Sequence, residues 1–121
     1  MKLLECVPNF SEGSNQKVID QICNSIKKIE NVTLLDVDPG KSTNRTVVTF
    51  IGPPDDVITA AYEGIKKASE LIDMSTHQGE HPRMGATDVC PLIPVSNISM
   101  SECVEYSHIL AEKVSRLLNI P

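Results

Sequence analysis

The spacing of apolar residues constrains the fold of this chain more than any other feature. In three segments, apolar residues recur every three or four positions, which predicts helices over about 15–29, 57–72 and 103–118. Four short runs rich in aliphatic and β-branched residues predict strands at 3–7, 32–38, 45–51 and 89–95. The chain therefore alternates strands and helices in the order βαββαβα.

This order is typical of an α+β fold, the ferredoxin-like split βαββαβ sandwich, here with an extra C-terminal helix. We expect one domain over 1–121, with one mainly antiparallel sheet and helices on one face. The fourth strand contains Pro91 and Pro94, which cannot donate ladder hydrogen bonds, so we place it at a sheet edge. Ser14 is expected to cap the first helix, and Ser99 with Glu102 has capping-box spacing before the third.

Alternation along the strands assigns residues to the two faces of the sheet. One parity is apolar and should face the helices: Leu4, Cys6, Leu35, Val37, Val48 and Phe50. The other parity mixes apolar groups with charges: Leu3, Glu5, Val7, Leu34, Asp36, Asp38, Arg45, Val47 and Thr49. Such a face is too apolar to be covered by solvent alone and too polar to be part of an ordinary hydrophobic core. We expect it to meet another domain or subunit, with a polar ligand between them.

Composition disfavours several classes of protein. The 121 residues carry a formal charge of −5, with no basic run and no Trp, which disfavours nucleic-acid binding. No apolar run approaches the roughly 20 residues needed to span a bilayer. The four cysteines lie far apart, with no C-x-x-C pair and no signal peptide: Cys6, Cys23, Cys90 and Cys103. We expect buried, reduced thiols in a cytoplasmic protein.

Residues 77–85 concentrate two histidines, a glutamate and an arginine in a predicted loop. The segment 77–81 matches H-x-x-E-H, the inverted zinc-protease pattern. That pattern requires a helix, because only helical spacing directs both histidines at one metal. Gly79 interrupts the segment and Pro82 follows it, which moves His81 out of the helical region. We therefore expect no metal at this loop.

Without a metal, His81 is suited to act as a general acid or base, because an imidazole titrates near neutral pH. Glu80 or Asp88 would orient it, and Arg83 would hold a carboxylate with its planar fork. The residue types alone leave a structural alternative open. In that alternative the histidines are exposed loop residues and Arg83 forms a local ion pair.

Residues 40–43, Gly-Lys-Ser-Thr, partly match a phosphate-binding loop, but the first glycine of that pattern is missing. A polar turn between strands is the better interpretation. Asn9, Asp38 and Asn44 lie at predicted strand ends, where they would either gather into a site or cap turns. His108 in the third helix is expected at the surface.

Five blocks of residues are recognisable as a set. They are Glu-Cys-Val-Pro-Asn-Phe-Ser-Glu-Gly at 5–13, Leu-Asp-Val-Asp at 35–38, Ser-Thr-Asn-Arg-Thr-Val at 42–47, Gly-Glu-His-Pro-Arg-Met-Gly-Ala at 79–86 and Asp-Val-Cys-Pro at 88–91. The blocks extend from end to end of the chain. They closely resemble the amino-terminal subdomain of the glutamate formimidoyltransferase family.

The resemblance implies an enzyme that transfers a formimidoyl group between N-formimidoyl-L-glutamate and tetrahydrofolate, in the cytoplasm, during histidine breakdown. The family's catalytic histidine lies in the Gly-Glu-His-Pro-Arg block, here at His81. We further expect substrate-binding roles for Asn9, Asp38, Asn44, Arg45, Glu80 and Arg83. Tetrahydrofolate is then a co-substrate, no metal is needed, and family members form homodimers, some with a fused cyclodeaminase domain.

Family enzymes continue into a second subdomain that supplies much of the folate site, whereas this chain ends at Pro121. We expect either a piece of a longer enzyme or a free-standing paralogue that pairs with another chain. Alone, it should bind folate weakly and turn over little. Two alternatives remain: a non-catalytic binding or regulatory module that pairs through the mixed sheet face, and action on 5-formyltetrahydrofolate.

Overall fold

The structure is a computed structural model, described for residues 1–72 and 86–118. Its elements in chain order are β1 (Leu3–Cys6), β2 (Asn9–Phe10), α1 (Gln16–Lys27), β3 (Thr33–Gly40), β4 (Arg45–Gly52), α2 (Pro54–Leu71), β5 (Thr87–Val89), β6 (Leu92–Ser96) and α3 (Met100–Leu118). The described strands form one sheet in which every pairing is antiparallel.

The predicted fourth strand is broken into two short ones, and β2 is a short strand that lies outside the four predicted strands. Val7 and Pro8 separate β1 from β2, and Cys90 and Pro91 separate β5 from β6. β4 pairs with β1 and β2 on one side and with β3 on the other. The strands before and after α1 are thus separated by one antiparallel neighbour, and so are those around α2. This is the split βαβ arrangement, and the predicted α+β fold is confirmed.

The strands β5 and β6 form one edge of the sheet within the described residues. β5 pairs with β2, and β6 pairs with β1, where Pro94 lies opposite Leu4. The prediction that the strand with Pro91 and Pro94 lies at a sheet edge is therefore confirmed for the described residues. Proline has no N–H to donate to a neighbouring strand, which is why it is found at edges.

The hydrophobic core lies between the sheet and the helices. The sheet contributes five apolar side chains that are at most 2% exposed: Leu4, Cys6, Phe10, Val48 and Phe50. The helices cover them with residues that include Ile22, Ile26, Val57 and Ala61. Full burial of a Leu or Phe side chain contributes roughly 1.5–3 kcal/mol. A Cβ on Gly64 of α2 would lie 3.0 Å from the Ile26 side chain, so the two helices pack closely at that point.

One strand departs from simple alternation. Leu34 lies opposite Phe50, but the next pair in the register joins Asp36 to Thr49, so Leu35 has no partner and forms a β-bulge. Leu35 is 55% exposed, and the prediction that it faces the helices is wrong. Leu34, which parity assigned to the other face, packs against the core instead. The residues after the bulge keep their predicted faces.

The helix ends follow local hydrogen bonding. Asn15 caps α1, since its side-chain oxygen accepts a first-turn N–H at 3.3 Å. Ser14, expected in this role, instead donates its N–H to the Glu12 carboxylate at 3.1 Å. The predicted capping box of α3 is confirmed: Ser99 Oγ accepts the Glu102 N–H, and Glu102 accepts the Ser99 N–H, each at 3.1 Å.

The helices α2 and α3 contain 18 and 19 residues. Both bury one stripe of side chains and expose charged ones. In the described ranges no helix is both long and apolar enough to cross a membrane. His108 is exposed on α3, as expected.

Candidate functional site

The sheet face turned away from the helices, called the open face below, carries three of the predicted site residues that the structure describes. The cross-strand register assigns to it, among other residues, Glu5, Asn9, Asp36, Asp38, Arg45, Val47, Thr49, Ile51, Val89 and Ile93. Val89 and Ile93 are 48% and 42% exposed. The open face therefore mixes exposed apolar side chains with charged ones, as strand parity predicts.

Asn9 and Asp38 lie in one row across this face. Both are direct cross-strand partners of Val47, Asn9 from β2 and Asp38 from β3. Neighbouring strands are about 4.8 Å apart, so the two backbones are roughly 10 Å apart with Val47 between them. A small polar molecule lying over Val47 would contact both side chains.

The Asn9 side chain contains a buried acceptor. Its amide oxygen Oδ1 is inaccessible to solvent, and no described residue donates a hydrogen bond to it. A buried acceptor left without a donor costs about 1–3 kcal/mol, so this oxygen would gain from an N–H donor outside the described residues or on a ligand.

Two carboxylates lie side by side on the same face. Asp36 is opposite Thr49 and Asp38 is opposite Val47, and both are exposed. Within the described part of the chain, neither carboxylate takes part in an ion pair. Their combined negative charge favours a cationic group, such as an amine or an amidinium, at this position.

Arg45 places a guanidinium group near these carboxylates. It begins β4 opposite Gly40 and is half-buried. In the register it is the diagonal neighbour of Asp38, a relationship that separates backbones by about 7–8 Å. It forms no ion pair with a described carboxylate. Its planar fork is suited to hold a carboxylate of a ligand.

Asn44, in contrast, lies in the turn between β3 and β4. Its φ of 50° is in the left-handed region, which Asn tolerates better than most residues. Its side-chain oxygen accepts the Gly13 N–H at 2.9 Å. A Cβ on Gly13 would lie 2.1 Å from the Gly40 carbonyl oxygen, so the turn and the Gly13 loop touch through their backbones.

The turn also decides between the two interpretations of residues 40–43. They connect two paired strands rather than a strand and a helix, so the polar turn is confirmed and the phosphate loop is not. The Asn44 side-chain oxygen has a structural role in holding this turn. Its predicted role in substrate binding stays a prediction.

The loop after β2 is hydrogen-bonded to Ala86, which follows residues 77–85 in the chain. The Ser11 N–H donates to the carbonyl of Ala86 at 2.8 Å. Three predicted site residues, together with the H-x-x-E-H pattern at 77–81, lie outside the described residues: Glu80, His81 and Arg83. Their roles stay predictions. Asp88, expected to orient His81, lies in β5. Among the described residues no group of three or more His, Cys, Asp or Glu could hold a metal ion.

Glu5 is a candidate contact that sequence reasoning did not select. It lies in β1 between Ile51 of β4 and Ile93 of β6, and it is half-buried. A carboxylate at this position can accept a hydrogen bond from a cationic or N–H group of a ligand. The signal in the sequence is a single charge within the apolar run 3–7.

The chain matches known proteins over nearly its whole length. Residues 3–121 match the family model of the formiminotransferase domain, N-terminal subdomain. The formimidoyltransferase-cyclodeaminase of Dictyostelium discoideum is 55% identical over 120 residues, which are 99% of this chain and 22% of that protein. The glutamate formimidoyltransferase of Streptococcus pyogenes serotype M1 is 52% identical over 120 residues, 99% of this chain and 40% of that protein.

A more distant relative matches over the same extent. The glutamate formimidoyltransferase of Thermoplasma acidophilum is 43% identical over 121 residues, 100% of this chain and 40% of that protein. The chain thus spans between 22% and 40% of the length of these relatives.

Proposed function

Because the chain belongs to the formiminotransferase family, as its N-terminal subdomain, we propose that it forms half of the site of a folate-dependent transferase. The reaction moves a formimidoyl group between N-formimidoyl-L-glutamate and tetrahydrofolate. The observation that carries the proposal is the row formed by Asn9, Val47 and Asp38 on the open face. It sets an amide and a carboxylate on either side of an apolar side chain.

The groups on the open face match the groups of these substrates. A formimidoyl group on an amine is an amidine, which is readily protonated and donates N–H hydrogen bonds. Asp38 would pair with its charge and Asn9 would accept one N–H. Arg45 would hold a carboxylate of the glutamate portion, and Val47 offers an apolar surface to a flat ring.

Proton transfer is assigned to His81, which lies outside the described residues. When one amine replaces another at the formimidoyl carbon, a tetrahedral adduct must gain and lose protons. A histidine near its pKa at neutral pH can do both. The hydrogen bond from Ser11 to Ala86 supports this assignment, because His81 is only five positions before Ala86 in the chain and Ser11 is two positions after Asn9.

The remaining part of the site would come from a second subdomain. The relatives named above are much longer than this chain, and Val89, Ile93 and Val95 on β5 and β6 are each more than 40% exposed. A second subdomain packed over the open face would cover these side chains and enclose the ligand. A homodimer, a cytoplasmic location and a place in histidine breakdown are further parts of the proposal.

The test is a formimidoyl-transfer assay with N-formimidoyl-L-glutamate and tetrahydrofolate. The chain is assayed alone and mixed with the carboxy-terminal remainder of the Streptococcus relative, after size-exclusion chromatography has shown that the two pieces bind. The mixture is then repeated with His81→Ala and with Asp38→Asn. Asp20→Asn is the matched control, because Asp20 is exposed on α1, on the other side of the sheet.

Activity should require the mixture. His81→Ala should abolish it, and Asp38→Asn should lower kcat/KM by about tenfold or more, which corresponds to roughly 1.4 kcal/mol of transition-state stabilisation. Asp20→Asn should leave it unchanged. A bound but inactive mixture would favour the non-catalytic module. Turnover with 5-formyltetrahydrofolate, but not with N-formimidoyl-L-glutamate, would favour the alternative in which the enzyme acts on 5-formyltetrahydrofolate.

A further inference from the structure

Cys6 and Cys90 bring their thiols together although 84 positions separate them in the chain. The distance between the two Sγ atoms is 3.4 Å. Cys6 ends β1, and Cys90 lies in the link between β5 and β6. Beside them the Val7 N–H donates to the Pro91 carbonyl at 3.1 Å, which holds the two breaks of the sheet against each other. The spacing of the cysteines in the sequence does not indicate this pair.

The two sulfur atoms lie within van der Waals contact of each other. A disulfide has an S–S distance of about 2.05 Å, so the two sulfurs must approach by roughly 1.4 Å. Cys6 is held in its strand by pairing with Phe50 and Leu92. Cys90 lies between strands, outside the paired register, and precedes a proline that has no N–H to lose. Most of the movement can therefore occur at Cys90 without breaking a ladder.

The two thiols differ in their access to an oxidant. Cys6 is 0% exposed, whereas Cys90 is partly exposed. The hydrogen bond with Cys90, together with burial, raises the pKa of the Cys6 thiol well above its ordinary value, so Cys6 remains protonated and unreactive toward a first oxidant. Cys23 and Cys103 are buried. Cys90 is thus the thiol that an oxidant in solution reaches first.

We infer that Cys6 and Cys90 are a site of reversible oxidation, in which a hydroperoxide converts the two thiols to a disulfide. The hydroperoxide first transfers an oxygen atom to the Cys90 sulfur, giving a sulfenic acid and an alcohol, or water when the oxidant is hydrogen peroxide. The Cys6 sulfur then attacks the Cys90 sulfur. The S–S bond forms, the S–O bond breaks, and the departing hydroxide leaves as water with the Cys6 proton.

The position of this bond relates it to the open face. Asn9 lies on β2, directly after the break that follows Cys6, and its partner Val89 is the residue before Cys90. A disulfide would therefore join the two strand breaks beside the Asn9 row and restrict their relative movement. Reduction by a thiol would release them.

The test uses the full chain, purified with a reductant that is then removed, and treated with hydrogen peroxide. Intact mass spectrometry should show the loss of two hydrogen atoms, reversed by dithiothreitol. Peptide mapping without reduction should find one cross-linked species that joins the peptides of Cys6 and Cys90. Cys90→Ser should abolish this species. Cys23→Ser, which alters a buried thiol of α1, is the matched control and should form it as the unaltered chain does.

Cys90→Ser is preferred to a change at Cys6 because Cys90 is partly exposed, and circular dichroism checks that the variant is folded. The inference is overturned if both thiols remain fully alkylatable after peroxide treatment. It is also overturned if Cys90 proceeds to a sulfinic acid without a cross-link, or if the disulfide that forms joins two chains or involves Cys23 or Cys103.

Discussion

Asn9 and Asp38 flank Val47 on the open face, each as its direct neighbour in an adjoining strand. In the chain the two polar residues are separated by α1. They lie in one row of the sheet because β4 pairs with β2 on one side and with β3 on the other. The split arrangement of the fold thus creates the row. Its polar ends and apolar centre are suited to a ligand that has a cationic group beside a flat apolar part.

Replacing Asn9 by Ala should weaken ligand binding without destabilising the fold. The change removes a buried oxygen that has no described donor, so the free energy of unfolding should fall by less than about 0.5 kcal/mol, or rise. Loss of one ligand hydrogen bond of about 1 kcal/mol should lower kcat/KM roughly fivefold in the two-piece mixture. Urea denaturation and steady-state kinetics measure the two effects. A marked loss of stability with unchanged kcat/KM would instead make Asn9 a structural residue.

Gly13→Ala should destabilise the chain, because the added Cβ would lie 2.1 Å from the Gly40 carbonyl oxygen and 2.6 Å from the backbone nitrogen of Arg45. Backbone must shift to accept it, at a cost of about 1–3 kcal/mol. Gly40→Ala is the matched control, since its Cβ would meet only the Thr43 hydroxyl closely, at 3.0 Å. Thermal unfolding of both variants tests this relationship. Equal midpoints for the two would contradict the close approach at Gly13.

Sequence periodicity predicted the order of the helices and of the longer strands, and the core side of β1 and β4, because these depend on regular repeats. It missed the short strand β2 and the break between β5 and β6. It failed at Leu35, because a bulge inserts one residue and nothing in the apolar pattern of β3 marks where the insertion occurs. It also failed at the start of α1. There Glu12 takes the Ser14 N–H, and the cap moves to Asn15, a competition between neighbouring polar side chains that residue type alone does not resolve.

Leu34→Ala and Leu35→Ala should separate the two assignments of β3. Leu34 packs against the core opposite Phe50, so its truncation should cost about 1–2 kcal/mol, less than a fully buried leucine. Leu35 is more than half exposed, so its truncation should change the free energy of unfolding by less than about 0.5 kcal/mol. Chemical denaturation of the pair measures both. The reverse order of stabilities would restore simple alternation along β3.

The candidate site was predictable to the extent that it depends on residue type and strand position. Asp38 lies after the bulge in β3 and Arg45 lies in β4, which alternates regularly, so both are on the face that parity assigned to them. Asn44 has the same polar character but accepts the Gly13 N–H, a contact made by a loop far away in the chain. The pairing of Cys6 with Cys90 likewise depends on the tertiary packing of two strand breaks.

Glu102 should make the start of α3 sensitive to acid. Its carboxylate accepts hydrogen bonds from the Lys2 ammonium and from the Ser99 N–H. These partners, the Lys2 hydrogen bond first, lower the pKa of Glu102 below its ordinary value of 4.5. Because the folded-state pKa is the lower one, the stabilisation is fully present above about pH 4.5 and is lost as the pH falls through the lowered pKa.

An NMR titration of the Glu102 carboxyl carbon and the Ser99 amide measures this directly. Both signals should titrate together at a pH below 4.5, with loss of Ser99 amide protection as Glu102 is protonated. Glu102→Gln should abolish the transition at Ser99, and Lys2→Met should move the Glu102 pKa upward toward 4.5. Glu105→Gln, an exposed change in the second turn of α3, is the control and should leave the transition at Ser99 in place. A Glu102 that titrates at or above 4.5 would mean that Lys2 does not pair with it in solution, and the N-terminal strand would then lack this link to α3.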